Sequence, residues 1–142
     1  MQKMTDAEWQ AFVMAGTRTA KLSTINPDGC PLTVPVWAIF EEGQFVFMTG
    51  DGTRKAKNMR RDARVSLAYD REEFPYDFAT VVGTAEVKAL PMDELLEISR
   101  RIASRFVPAE QVEAFAKRNA VPEEVVVVVT PTRVISARGV SD

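Results

Sequence analysis

The apolar positions of this chain change period several times, and each change marks an element. Thr5-Asp6-Ala7-Glu8 reads as a capping box with Thr5 as N-cap; Trp9, Phe12 and Val13 then share one helical face until Gly16 ends the helix. From Arg18 the period drops to two: Ala20 and Leu22 alternate with Lys21 and Ser23 up to Ile25, the pattern of a half-buried strand. Asn26-Pro27-Asp28-Gly29 is a turn, with proline setting one central position and glycine accepting positive φ. Its hairpin partner, Pro31–Phe40, is apolar on both faces, which predicts burial on both sides or a covering ligand. Pro35 within it has no N–H for a ladder and marks a bulge or an edge. Glu41-Glu42-Gly43 then turns the chain into a short strand, Gln44–Thr49, carrying Phe45 and Phe47.

Gly50-Asp51-Gly52 feeds a short helix beginning near Thr53, followed by a strand over Arg64–Tyr69 and an acidic loop, Asp70–Asp77. Phe74 and Tyr76 in that loop are expected to tuck into the nearest core, a lid or an interface being the alternative. Phe78–Leu90 predicts a long strand with Gly83 at a bulge or a close backbone approach. After Pro91 the period is helical again: Leu95, Ile98, Ile102 and Phe106 form one stripe, with Arg100, Arg101 and Arg105 expected on a solvated opposite face. Pro108 starts a second helix reaching about Arg118; the five valines Val125–Val129 form a central strand, which Arg133–Ala137 extends or pairs. Six or seven strands joined mostly by turns predict an α+β fold: one domain over residues 1–142, an antiparallel sheet curled into a barrel with flanking helices.

Composition matters here mainly through what it excludes. The chain contains no histidine, which removes Ser-His-Asp and Cys-His nucleophilic machinery, His-ligated zinc and His-ligated haem together. Chemistry would then fall to an organic cofactor, with no catalytic side chain and no metal ligand evident. A net charge of −2 argues against general nucleic-acid binding. Cys30 is the sole cysteine, so no intrachain disulfide forms; with no apolar run near ~20 residues and no export pattern at Met1, the expectation is a cytoplasmic protein away from membranes.

The most informative stretch is Gly50–Arg64, GDGTRKAKNMRRDAR. Arg54, Lys55 and Lys57 crowd the first turns of its helix, where the macrodipole disfavours cations by roughly 0.3–1 kcal/mol each. An anion at that end, held by N–H groups, the Thr53 hydroxyl and these side chains, resolves the conflict, and a phosphate fits best. Arg60, Arg61 and Arg64 lie at the favourable end.

With VPVW in the apolar strand, TGDGTRKAKN, RRDARVSL and FATVVGTAEV, residues 8–90 resemble the FMN-binding split barrel of the pyridoxamine 5′-phosphate oxidase class, and the C-terminal third does so in outline. The likeness is greatest to the small branch that uses the deazaflavin coenzyme F-420. The resemblance implies a homodimer with the cofactor in a groove between subunits. It implies that Thr53, Arg54, Lys55 and Lys57, with Asn58 in the same block, hold the cofactor phosphate, and that Val34, Pro35, Val36 and Trp37 line the ring site beside Met48 and Thr49. The C-terminal end, VISARGVSD, lacks the Arg/His motif that binds substrate phosphate in pyridoxamine phosphate oxidase itself, and the histidine ligand of haem-degrading relatives is missing. The leading expectation is an oxidoreductase moving a hydride between F-420, or else FMN, and a small organic substrate. A non-catalytic flavin- or deazaflavin-binding protein is the alternative; nucleic-acid binding through residues 54–64 is disfavoured, since no aromatic is interleaved there. The extra cations Lys57, Arg60 and Arg61 would suit the acidic oligoglutamate tail of F-420.

Overall fold

The computed structural model describes residues 1–141. The elements run α1 (Asp6–Met14), β1 (Ala20–Ile25), β2 (Pro31–Val36), β3 (Ile39–Glu41), β4 (Gln44–Gly50), α2 (Arg54–Arg61), β5 (Arg64–Arg71), β6 (Asp77–Lys88), α3 (Met92–Phe106), α4 (Val112–Asn119) and β7 (Glu124–Ala137). The seven strands form one antiparallel sheet in the order β2-β1-β5-β6-β7-β4-β3. This is the α+β fold with a curled antiparallel sheet expected from the period changes, and the split barrel that the resemblance implies.

The sheet closes because its two edge strands, β2 and β3, are consecutive in sequence and separated only by Trp37 and Ala38. Three peptide steps hold their ends within about 11 Å, so a seven-stranded sheet has no choice but to curl. Pro31–Phe40 is therefore two strands rather than one. The outward residues of β2, Pro31, Thr33 and Pro35, are exposed, while Val34 and Val36 pack inward. Within one chain nothing packs on the outward face of β2, where Pro35 instead borders a cavity. Pro35 sits opposite Lys21 in a regular ladder without a bulge. Its missing N–H costs nothing where it faces the free edge.

The interior combines aliphatic side chains such as Leu22, Leu67, Val81 and Val127 with a group of aromatic ones. Trp9 meets Phe40 edge-on at 5.4 Å and lies 6.4 Å from Phe45; Phe45 in turn contacts Phe40 and Tyr69. The Thr5 capping box is present, with Glu8 bonding back to the Thr5 N–H at 2.9 Å, and it starts α1 at the angle that delivers Trp9 to this core. β6 and β7 form the longest pairing, and their register shifts at Gly83. A Cβ at Gly83 would lie 2.5 Å from the Thr130 carbonyl oxygen, so the bulge and the close approach are one feature. β7 spans the five valines and the segment beyond Pro131 as a single bent strand.

Two expectations fail on the periphery. Arg105 is not on a solvated face: its guanidinium donates to the carbonyl oxygens of Ala38 (2.6 Å), Val13 (2.7 Å), Gly16 (3.2 Å) and Arg18 (3.3 Å). It satisfies carbonyls at the end of α1 and anchors the Trp37-Ala38 link, a long-range role that helical periodicity does not encode. Phe74 and Tyr76 do not tuck in; they are 71% and 44% exposed and meet each other edge-on. Their loop is instead held by the C-terminal segment, where the Val140 and Ser141 N–H groups donate to the carbonyls of Tyr76 and Pro75.

Candidate functional site

A cavity of about 360 Å³ opens where β2 passes into the Trp37-Ala38 link, lined by Thr19, Pro35, Val36, Trp37, Met48, Lys55, Ser99, Ile102, Asn119 and Glu124. Its volume falls in the range of small-molecule sites. The apolar lining is fixed by packing: the Trp37 indole stacks on Phe106 at 5.1 Å with the rings 7° from parallel. Trp37 and Met48 border a second apolar cluster built from Ile39, Val46, Leu95, Ile102 and Val126.

The charged lining comes from α2 and the start of β7. Thr53 is the N-cap of α2, accepting from the Ala56 N–H at 3.3 Å and donating to the Gly50 carbonyl at 2.8 Å. No acidic residue occupies the first turn. That leaves the Arg54 and Lys55 N–H groups and their cationic side chains at a positive helix end. Lys55 is half-buried and reaches the cavity. Gly50 pairs with Glu124 across β4 and β7, and the Asp51 N–H donates to the Glu123 carbonyl at 2.8 Å, so the turn before α2 and the start of β7 are locked together. Glu124 Oε2 is buried with no hydrogen-bond partner among the described residues. Burial pushes its carboxyl above the usual carboxylate range, the charge of Lys55 opposes that shift and Glu123 adds to it. Among the described residues Lys55 and Glu124 line the same cavity without forming an ion pair.

The residues expected at the site separate into two groups. Pro35, Val36, Trp37, Met48 and Lys55 meet at the cavity. Val34 packs into the barrel interior, and Thr49 is buried with its hydroxyl 3.2 Å from that of Thr53, whose capacity is spent on capping. Arg54 is exposed and borders a separate depression with Asn26, Pro27, Asp28 and Leu32. Lys57 is exposed without an ion pair among the described residues. Asn58 is fully buried, its amide donating to Thr24 Oγ1 (3.1 Å) and Asn26 Oδ1 (2.9 Å), so it ties α2 to the β1–β2 turn. Arg60 pairs with Asp51, and Arg61 donates to the Ile25 carbonyl. Sequence reasoning missed Thr19, Ser99, Ile102, Asn119 and Glu124. Glu124 follows Pro122-Glu123 and looks like part of a solvated turn; only the pairing with Gly50 brings it to the site.

The family model described as pyridoxamine 5′-phosphate oxidase matches residues 5–137. The chain belongs to that family, whose fold serves flavin-type oxidoreductases and related binding proteins. Among solved structures it is similar to the conserved hypothetical protein Rv2991 from Mycobacterium tuberculosis, with a TM-score of 0.79 and 26% identity over 96% of this chain and 88% of that one. An F420 reductase superposes with a TM-score of 0.71 at 20% identity, covering 88% of this chain and 94% of its own. HutZ, the heme storage protein of Vibrio cholerae, does so with a TM-score of 0.73 at 15% identity over the whole of both chains. The last two likenesses establish the shared fold. No curated protein sequence matches the chain.

Proposed function

We propose that the cavity beside Trp37 binds a phosphorylated flavin or deazaflavin, F-420 in the first place and FMN otherwise, and that the protein is an oxidoreductase acting on a small organic substrate. The observation that carries this reading is Lys55: a half-buried cation in the first turn of α2, a turn without an acidic residue, facing a cavity that Trp37, Pro35 and Met48 also line. The donor set fits the group. A flat conjugated ring needs apolar walls such as Trp37, Pro35 and Met48, and a phosphate needs N–H groups and a cation. Family membership supports the same ligand class, and the chain has no histidine to hold haem iron through an imidazole.

The bound ring would supply hydride transfer; this chain supplies placement. Lys55 and the free N–H groups of α2 hold the phosphate, the Trp37–Phe106 stack fixes one wall, and Ile102 and Met48 keep that wall dry. Thr53 and Asn58 act through α2, one capping it and the other pinning it to the β1–β2 turn. Lys57, exposed and without an ion pair among the described residues, would meet the acidic tail that distinguishes F-420 from FMN. A second copy of the chain completes the groove in this reading, covering the exposed outer face of β2 and the Phe74–Tyr76 pair; sedimentation showing a monomer at micromolar concentration would remove that part.

The test is to add FMN and F-420 to the purified protein and follow their absorbance and fluorescence. Binding at micromolar concentration or tighter is expected, with binding of riboflavin, which lacks the phosphate, at least about tenfold weaker. Equal affinity for FMN and riboflavin would remove the phosphate site from the account.

A further inference from the structure

We propose that Glu124 is the proton-holding member of the anion site. The carboxyl takes a proton from solvent when a phosphate ester settles beside Lys55, and then donates a hydrogen bond to a phosphate oxygen. This rests on the preceding reading of the cavity as a phosphate-ester site and adds a specificity device to it.

The geometry leads there by elimination. Glu124 lines the cavity together with Lys55, and its Oε2 is sealed from solvent without a partner. A buried carboxylate oxygen with nothing to accept from is costly unless it is protonated or meets a donor. The cation whose charge acts on it is Lys55, but the two do not form an ion pair, so the lysine remains available to an anion. The other charged groups around Glu124 are Glu123, which adds negative charge, and Asp51 in the adjoining turn, which is paired with Arg60. Ser99 and Asn119 from α3 and α4 contribute neutral lining, and Ser99 already donates to the Ala116 carbonyl at 2.8 Å. An anion arriving at Lys55 therefore meets one mobile negative charge, that of Glu124. Two like charges in one poorly solvated site do not both persist, and the carboxyl is the group that can shed its charge by taking up a proton. Once protonated it becomes a donor, and the buried oxygen is no longer an uncompensated charge. Burial and Glu123 already move it in that direction before any ligand binds.

The consequence is proton uptake on binding and an affinity that falls as pH rises through the carboxyl's window. Replacing Glu124 by glutamine keeps a donor in place and abolishes the coupling. The experiment titrates FMN and riboflavin into wild type, Glu124→Gln and Glu124→Ala from about pH 5.5 to about 8.5, with calorimetric titrations in two buffers of different protonation heat. Taking the ratio of wild-type to Glu124→Gln affinity for FMN cancels the titration of the FMN phosphate itself. That ratio should fall with pH, by up to about tenfold per unit within the window, and wild type should take up more protons than the variant. Glu124→Ala, which removes the donor as well, should bind FMN more weakly than Glu124→Gln at every pH. Riboflavin should show no such ratio. A ratio flat in pH, or the same slope with riboflavin, overturns the role of Glu124 and leaves the phosphate site standing. Failure of wild type to bind either FMN or F-420 overturns both readings.

Discussion

Phe45 and Phe47 on β4 and Val127 and Val129 on β7 point into the barrel; their neighbours Val46, Met48, Val126 and Val128 point the other way, toward α3. The two faces of the same strands serve different ends. The inner face is closed, with its aromatic contacts made among Trp9, Phe40, Phe45 and Tyr69. The outer face is covered by α3 over part of its length only. Where the cover stops, Trp37, Met48 and Ile102 border the cavity and Lys55 and Glu124 supply charge. On the proposed function, stability resides mainly in the first face and binding in the second, and substitutions should separate them.

Phe47→Ala should have the largest effect on folding. The side chain is fully buried in the closed cluster, so its loss should cost about 3–5 kcal/mol, read as a lowered denaturant midpoint with an unchanged slope. Arg105→Met comes next, because it leaves carbonyls of α1 and of the Trp37-Ala38 link without their donor. A loss of about 1.5–3 kcal/mol is expected in the same measurement, and a loss no larger than that of Arg101→Met would contradict the anchoring role. Trp37→Ala, on the open face and only half-buried, should cost about 1–2 kcal/mol while weakening FMN binding at least as much as it weakens folding. If it proved as destabilising as Phe47→Ala, the distinction between the two faces would fail.

The smallest stability effect expected is that of Glu124→Gln, and its sign is the informative part. The folded-state pKa of Glu124 is raised, so its contribution to stability is fully present below the unfolded-state carboxylate pKa and is lost as pH rises through the folded value. The variant should therefore melt slightly higher than wild type near neutral pH and lose that advantage in acid. A variant that melts lower at neutral pH would mean the carboxylate has a partner in the folded protein.

The closed face was largely legible in the sequence, and the open face was not. Period-two alternation identified β1, and the capping box identified α1, because those signals are local. The cluster of cations after Gly50-Asp51-Gly52 was legible for the same reason: a helix N-terminus with positive charge and no acid is a local contradiction. What could not be read was which of those cations turns inward. Successive helical residues lie about 100° apart, so Lys55 faces the cavity while Arg54 lies toward the β1–β2 turn. Asn58 looked like part of the same block, but a buried amide between Thr24 and Asn26 is a tertiary contact separated by more than thirty residues. Glu124 and Arg105 became visible only through pairings across the whole fold.

The central claim is that Lys55, in the cavity beside Trp37, holds a cofactor phosphate, and titrating FMN and F-420 into wild type, Lys55→Ala and Arg54→Ala by fluorescence, with thermal melts alongside, tests it most directly. The account predicts that Lys55→Ala loses about ten- to a hundred-fold in affinity for both, the worth of one charge-assisted hydrogen bond, while its melting temperature is unchanged or slightly higher because a cation has left the positive end of α2. Arg54→Ala, facing away, should lose less. Unchanged affinity in Lys55→Ala would contradict the claim and place the anion site elsewhere on the molecule.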